Sequence, residues 1–162
     1  MQESIHETAV WDRVTAASRN AAEKPAVPGP IGPELLSALE RLQAIRQQYF
    51  SLRSRSGGEL RQGMQEVLRR NQALIRTLSA LTFYLTGRRP ALTPASPAGT
   101  TRESAAESIR RLLREEELSM GRLESLAARS TGETRETLLL LSRQCRQQFQ
   151  ALLALLGRAL EP

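Results

Sequence analysis

A repeat at one fixed offset constrains this chain more than any other feature. Arg55-Ser56-Gly57-Gly58-Glu59-Leu60-Arg61 returns 74 residues later as Arg129-Ser130-Thr131-Gly132-Glu133-Thr134-Arg135. The same offset pairs Leu35 with Ile109, Leu39 with Leu113, Ser51-Leu52 with Ser125-Leu126, Arg69 with Arg143, Leu78 with Leu152, and Ala80-Leu81 with Ala154-Leu155. Apolar positions that stay in phase across such an offset point to two copies of one structural unit. Each copy holds two apolar-periodic segments around a glycine break, so the unit is a helical hairpin. Two hairpins make a four-helix bundle.

Composition agrees. Leu, Ala, Arg, Glu and Gln dominate, and these are strong helix formers. The chain's 162 residues are enough for one domain with a real core. The first helix is expected from about Glu34 to Arg55, with an inward stripe of Leu35, Leu39, Leu42, Ile45, Tyr49 and Leu52. The second runs from about Glu59 to Thr86, carrying Leu60, Met64, Val67, Asn71, Leu74, Leu78, Leu81 and Leu85 in a near-heptad pattern. The third, from about Arg102 to Arg129, turns Ala105, Ile109, Leu112, Glu116, Met120, Leu123 and Leu126 inward. The fourth, from about Glu133 to Leu160, does the same with Leu138, Leu141, Cys145, Gln148, Leu152, Leu155 and Ala159.

The expected fold class is therefore all-α, an antiparallel four-helix bundle made of hairpins 34–86 and 102–160. Residues 87–101 form a Pro-rich link between them, and that link either joins adjacent helices or crosses the bundle. Residues 3–20 read as a short N-terminal helix or arm with Ile5, Val10, Trp11 and Val14 on its apolar side. Pro25, Pro28, Pro30 and Pro33 make 21–33 a linker.

The formal charge of +6 is uneven. Residues 34–89 hold ten Arg against four Glu, and 90–162 hold ten Arg against nine Glu, so the first hairpin carries the positive field. Arg46, Arg53, Arg69, Arg70 and Arg76 recur at near-heptad intervals there. They form either a candidate interaction face for an acidic partner or an ordinary solvated face. Nucleic acid is disfavoured, because the few aromatic residues are not interleaved with arginine. Cys145 is the single cysteine, which excludes an intramolecular disulfide and a Cys-based zinc site. No apolar run approaches a membrane span, and no signal peptide is visible, so a cytoplasmic protein is expected. Motifs for phosphate loops, dinucleotide binding, serine nucleophiles and zinc helices are lacking.

Tandem hairpins of this size resemble the ferritin-like superfamily, rubrerythrin-type domains included. The stretch from Leu78 to Pro90, a leucine-rich turn running into Gly87 and a Pro-rich connection, is similar to the end of that family's second helix. Glu116, seven residues before Leu123, sits where the family places a ligand Glu. The resemblance covers about 34–160 and implies a bacterial protein. The family's di-metal site takes a Glu from the first helix of each hairpin and an E-x-x-H pair from the second.

Carried over, those positions are Leu42, then Asn71 with Leu74, and Glu116, then Cys145 with Gln148. Only Glu116 is an ordinary ligand, and the one histidine, His6, lies outside the bundle. The resemblance thus implies a scaffold with a degenerate metal site, no cofactor, no catalysis, and a structural or protein-interaction role. A homodimer through helix faces is a further expectation. The alternatives are a residual ferritin- or rubrerythrin-type metal-binding oxidoreductase and a small helical export chaperone.

Individual residues leave two readings each. Asn71 is a register-fixing amide or a site remnant. Glu116 is either buried against Gln148, Asn71, Arg41 or Arg143, or turned outward within Glu115-Glu116-Glu117. Cys145 reads as a small core residue. Tyr49, Phe50, Phe83 and Tyr84 read as packing residues near the bundle ends, and Trp11 as an anchor on the bundle or on a partner.

Overall fold

The computed structural model describes residues 31–91 and 102–161. The expected N-terminal helix, Trp11, His6, most of the first Pro-rich segment and the middle of the second lie outside these residues. Every regular element among the described residues is an α-helix: α1 Gly32–Ser54, α2 Gly58–Thr86, α3 Ala105–Ala128 and α4 Gly132–Leu160.

The helix ends follow from local chemistry. Pro33 stands in the first turn of α1, where its missing N–H costs nothing. α2 stops at Gly87, whose φ of 69° lets its N–H reach the Phe83 carbonyl at 2.8 Å. α3 begins three residues later than its periodicity predicts, because Ser104 and Glu107 form a reciprocal capping box. The Glu107 N–H donates to Ser104 Oγ at 3.2 Å, and the Ser104 N–H donates to Glu107 Oε2 at 2.8 Å.

The two tight turns explain which repeat positions keep glycine. Gly58 and Gly132, 74 residues apart, open α2 and α4 with φ of 55° and 57°. L-residues avoid that region, so both copies need glycine. The preceding position is extended in both, φ −126° at Gly57 and −132° at Thr131, which any residue adopts.

Cross-helix contacts set the topology. Gly32 lies against Thr86, and Arg53 donates to Gln65, so α1 and α2 are antiparallel. Ser142 donates to Glu124 in the second hairpin. Arg122 bonds Ser37, and Arg41 bonds Glu115, so α1 and α3 are also antiparallel. Gly63 abuts Leu155, and Gln148 reaches Val67, which makes α2 and α4 antiparallel. α1 lies diagonally opposite α4, and α2 opposite α3.

It follows that α2 and α3 run parallel, and the link between them crosses the bundle rather than joining neighbours. Its described ends lie along α1: Gln43 donates to the Ala91 carbonyl at 3.2 Å, and Arg55 donates to the Glu103 carbonyl at 2.7 Å.

The inward stripes are buried nearly as the periodicity predicts, with Leu60, Leu85, Ala105 and Ala159 half-buried near helix ends and Met120 half-buried within α3. Two apolar clusters result. One gathers Leu35, Leu39, Leu42, Leu74, Leu78, Leu123 and Leu141. The other gathers Ile45, Leu52, Met64, Val67, Ile109, Leu112 and Leu152. Burying each such side chain is worth about 1.5–3 kcal/mol, so these clusters hold the hairpins together. In sequence, Asn71, Glu116 and Gln148 fall between the segments that feed one cluster and those that feed the other.

Candidate functional site

This polar layer is the chemically distinctive place in the bundle. Asn71, Glu116 and Gln148 each have 0 % exposure. Glu116 is turned fully inward, so the outward reading of the Glu115-Glu116-Glu117 run is excluded. Its neighbour Glu115 points toward the surface and pairs with Arg41 at 2.7 Å, while Glu117 is exposed.

The partner of Glu116 is none of the four residues expected from sequence. Tyr49 donates its hydroxyl proton to Glu116 Oε1. Tyr49 is itself fully buried, so its placement as a packing residue near a bundle end is corrected. Its stripe position, one heptad after Leu42, was the available signal. What periodicity could not supply was the register of α3 against α1. The other aromatic residues are peripheral: Phe50 and Phe83 are half-buried under Arg53 and Arg89, 4.8 and 5.8 Å from their ring centres, and Tyr84 is exposed.

Burial dominates the electrostatics. Desolvation raises Glu116 to about 7, partly offset by the Tyr49 hydrogen bond. Burial, reinforced by the Glu116 charge, pushes the Tyr49 hydroxyl and the Cys145 thiol well above their ordinary ranges. Cys145 is thus a neutral, buried thiol, and no imidazole stands among the described residues to activate it.

Satisfaction of the layer is incomplete. Gln148 Nε2 donates to the Val67 carbonyl at 2.6 Å. In a regular helix that carbonyl also accepts the N–H of Asn71, so Gln148 lies beside Asn71. Gln148 Oε1, Glu116 Oε2 and both polar atoms of the Asn71 amide have no protein partner. Buried groups of this kind are uncommon and call for a physical reason.

The carried-over positions are all interior: Leu42, Asn71, Leu74, Glu116, Cys145 and Gln148 have exposures of 0 or 1 %. Leu42 and Leu74 bring no donor atom. Among the described residues no three His, Cys, Asp or Glu side chains are grouped so as to hold a metal ion. The donors present are one carboxyl, two amides, a phenol and a protonated thiol, a set that hydrogen-bonds readily and ligates iron poorly.

The arginines of the first hairpin differ in their surroundings. Arg69 and Arg70 share Glu66, at 2.7 and 3.2 Å. Arg53 stacks on Phe50 and donates to Gln65. Arg46 is half-buried with its Nε unpartnered, and Arg76 is exposed.

No family model, curated protein or solved structure matches the chain. No helix among the described residues is long and apolar enough to cross a membrane.

Proposed function

We propose that this chain is a ferritin-like bundle whose di-metal site has become a hydrogen-bonded polar layer, and that it serves as a structural or protein-interaction module without catalysis. The observation that carries this reading is the content of the layer: Leu42 and Leu74 stand at two ligand positions, and the one carboxylate, Glu116, is engaged by Tyr49. A single long crossover between two antiparallel hairpins supports the ferritin-like assignment. So does the pairing of Arg41 with Glu115, a residue and its counterpart 74 positions on.

The partner is an acidic protein that meets the first hairpin around Arg46, Arg53, Arg69, Arg70 and Arg76, where Glu66 offsets part of the charge of Arg69 and Arg70. The oxidoreductase alternative would need Glu116 to bind metal beside two leucines. Elemental analysis of protein purified without a metal-binding tag tests the reading. Iron and manganese at trace levels are expected; metal near stoichiometry would overturn it.

A further inference from the structure

The seam between α1 and α3 holds a groove of about 350 Å³ lined by Glu34, Ser37, Arg122, Ser125 and Leu126. Its charges are unevenly compensated. Arg41, on one side, is tied to Glu115 at 2.7 Å, and Arg129, on the other, is tied to Glu34. Arg122, between them, donates only to the Ser37 hydroxyl, at 3.0 Å, and has no carboxylate partner among the described residues. One guanidinium charge is therefore left over in the groove.

Hydroxyls surround it. Ser119, Arg122 and Ser125 are spaced by three on α3 and share one face. Ser119 is 4 % exposed, and its Oγ has no partner. It lies with Arg122 against Ala38 and Leu42, in a cleft too tight to admit a water molecule, so it stands outside the groove itself.

We propose that this groove binds the oxyanion group, carboxylate or phosphate, of a small ligand. A guanidinium fork with free N–H groups matches either oxyanion bidentately, and Ser37 and Ser125, which line the groove with it, supply further donors. The volume suits a small metabolite. Glu34, held by Arg129 at the mouth, disfavours a second negative group on that side.

The test uses the full chain, with inorganic phosphate and acetate as probes at constant ionic strength. The readout is the Arg122 Nε–H and Ser125 amide resonances. Saturable shifts are expected at both. The anion that saturates first identifies the source, phosphate ester or carboxylate. Arg122→Gln is expected to weaken binding by at least roughly tenfold, the loss of about one charge-assisted hydrogen bond. Ser125→Ala, at an exposed position, weakens it severalfold and serves if the first variant unfolds. Arg158→Gln, at the far end of α4, leaves it unchanged. Shifts that fail to saturate with either anion, or that persist in Arg122→Gln and Ser125→Ala alike, overturn the proposal.

Discussion

Tyr49 on α1 and Glu116 on α3, 67 residues apart in the chain, share a hydrogen bond in the middle of the bundle, with neither side chain exposed to solvent. A carboxyl in that setting resists ionisation. The same bond ties the two hairpins at the level where the two apolar clusters meet.

The first consequence is a pH dependence. Glu116 is raised to about 7 by burial, above its ordinary 4.5. Between those values the native state holds more protons than the unfolded chain, so stability falls as pH rises. Its contribution is complete below about pH 4.5 and is lost as pH passes 7. The loss approaches about 3 kcal/mol by pH 8. Urea unfolding at pH 5 and pH 8 is expected to differ by this order in the native chain and to converge in Glu116→Gln.

Removing the donor gives a second test. The Tyr49 hydrogen bond holds Glu116 lower than burial alone would. In Tyr49→Phe the carboxyl loses that bond, at a cost of roughly 1–3 kcal/mol. The loss is greatest at alkaline pH, where the charge has to form. The midpoint of the stability–pH curve is expected to move upward; an unmoved midpoint would place the pH dependence elsewhere.

The turn glycines separate a conformational need from mere smallness. Gly58→Ala and Gly132→Ala each force a side chain into the left-handed region and are expected to cost roughly 1–2 kcal/mol. Gly57→Ala, at an extended position with open space around it, is expected to cost less than either, about 0.5 kcal/mol, because Ala is only the poorer N-cap there. Thermal denaturation of the three variants reads the contrast.

Close approach of α2 to α4 is tested at Gly63. A Cβ there would collide with the buried side chain of Leu155. Gly63→Val is expected to destabilise by roughly 1–3 kcal/mol through overpacking, and Leu155→Ala in the same chain should recover part of that loss by opening space.

Much of this was legible in the residues. The stripes fixed which faces turn inward, because a helix shows its period locally and burial follows it. The glycines at 58 and 132 marked the turns. The start of α3 was misplaced because the side chains of Ser104 and Glu107, rather than apolar period, decide where it begins. Tyr49 and Glu116 were each placed inside by their stripes, yet not paired. Their contact depends on the crossover, and a Pro-rich link between two hairpins is compatible with either route. The groove around Arg122 was invisible for a related reason: an arginine's compensation depends on which helix faces it, and Arg122 differs from Arg41 and Arg129 only in what stands opposite.

The most direct measurement is a calorimetric titration of the purified chain with ferrous iron and with manganese, alongside Glu116→Gln. With Leu42 and Leu74 where the proposed ferritin-like reading would need metal ligands, and Glu116 held by Tyr49, no saturable heat is expected from either protein. Saturable binding of about two ions per chain, lost in Glu116→Gln, would mean that the polar layer is a working di-metal centre.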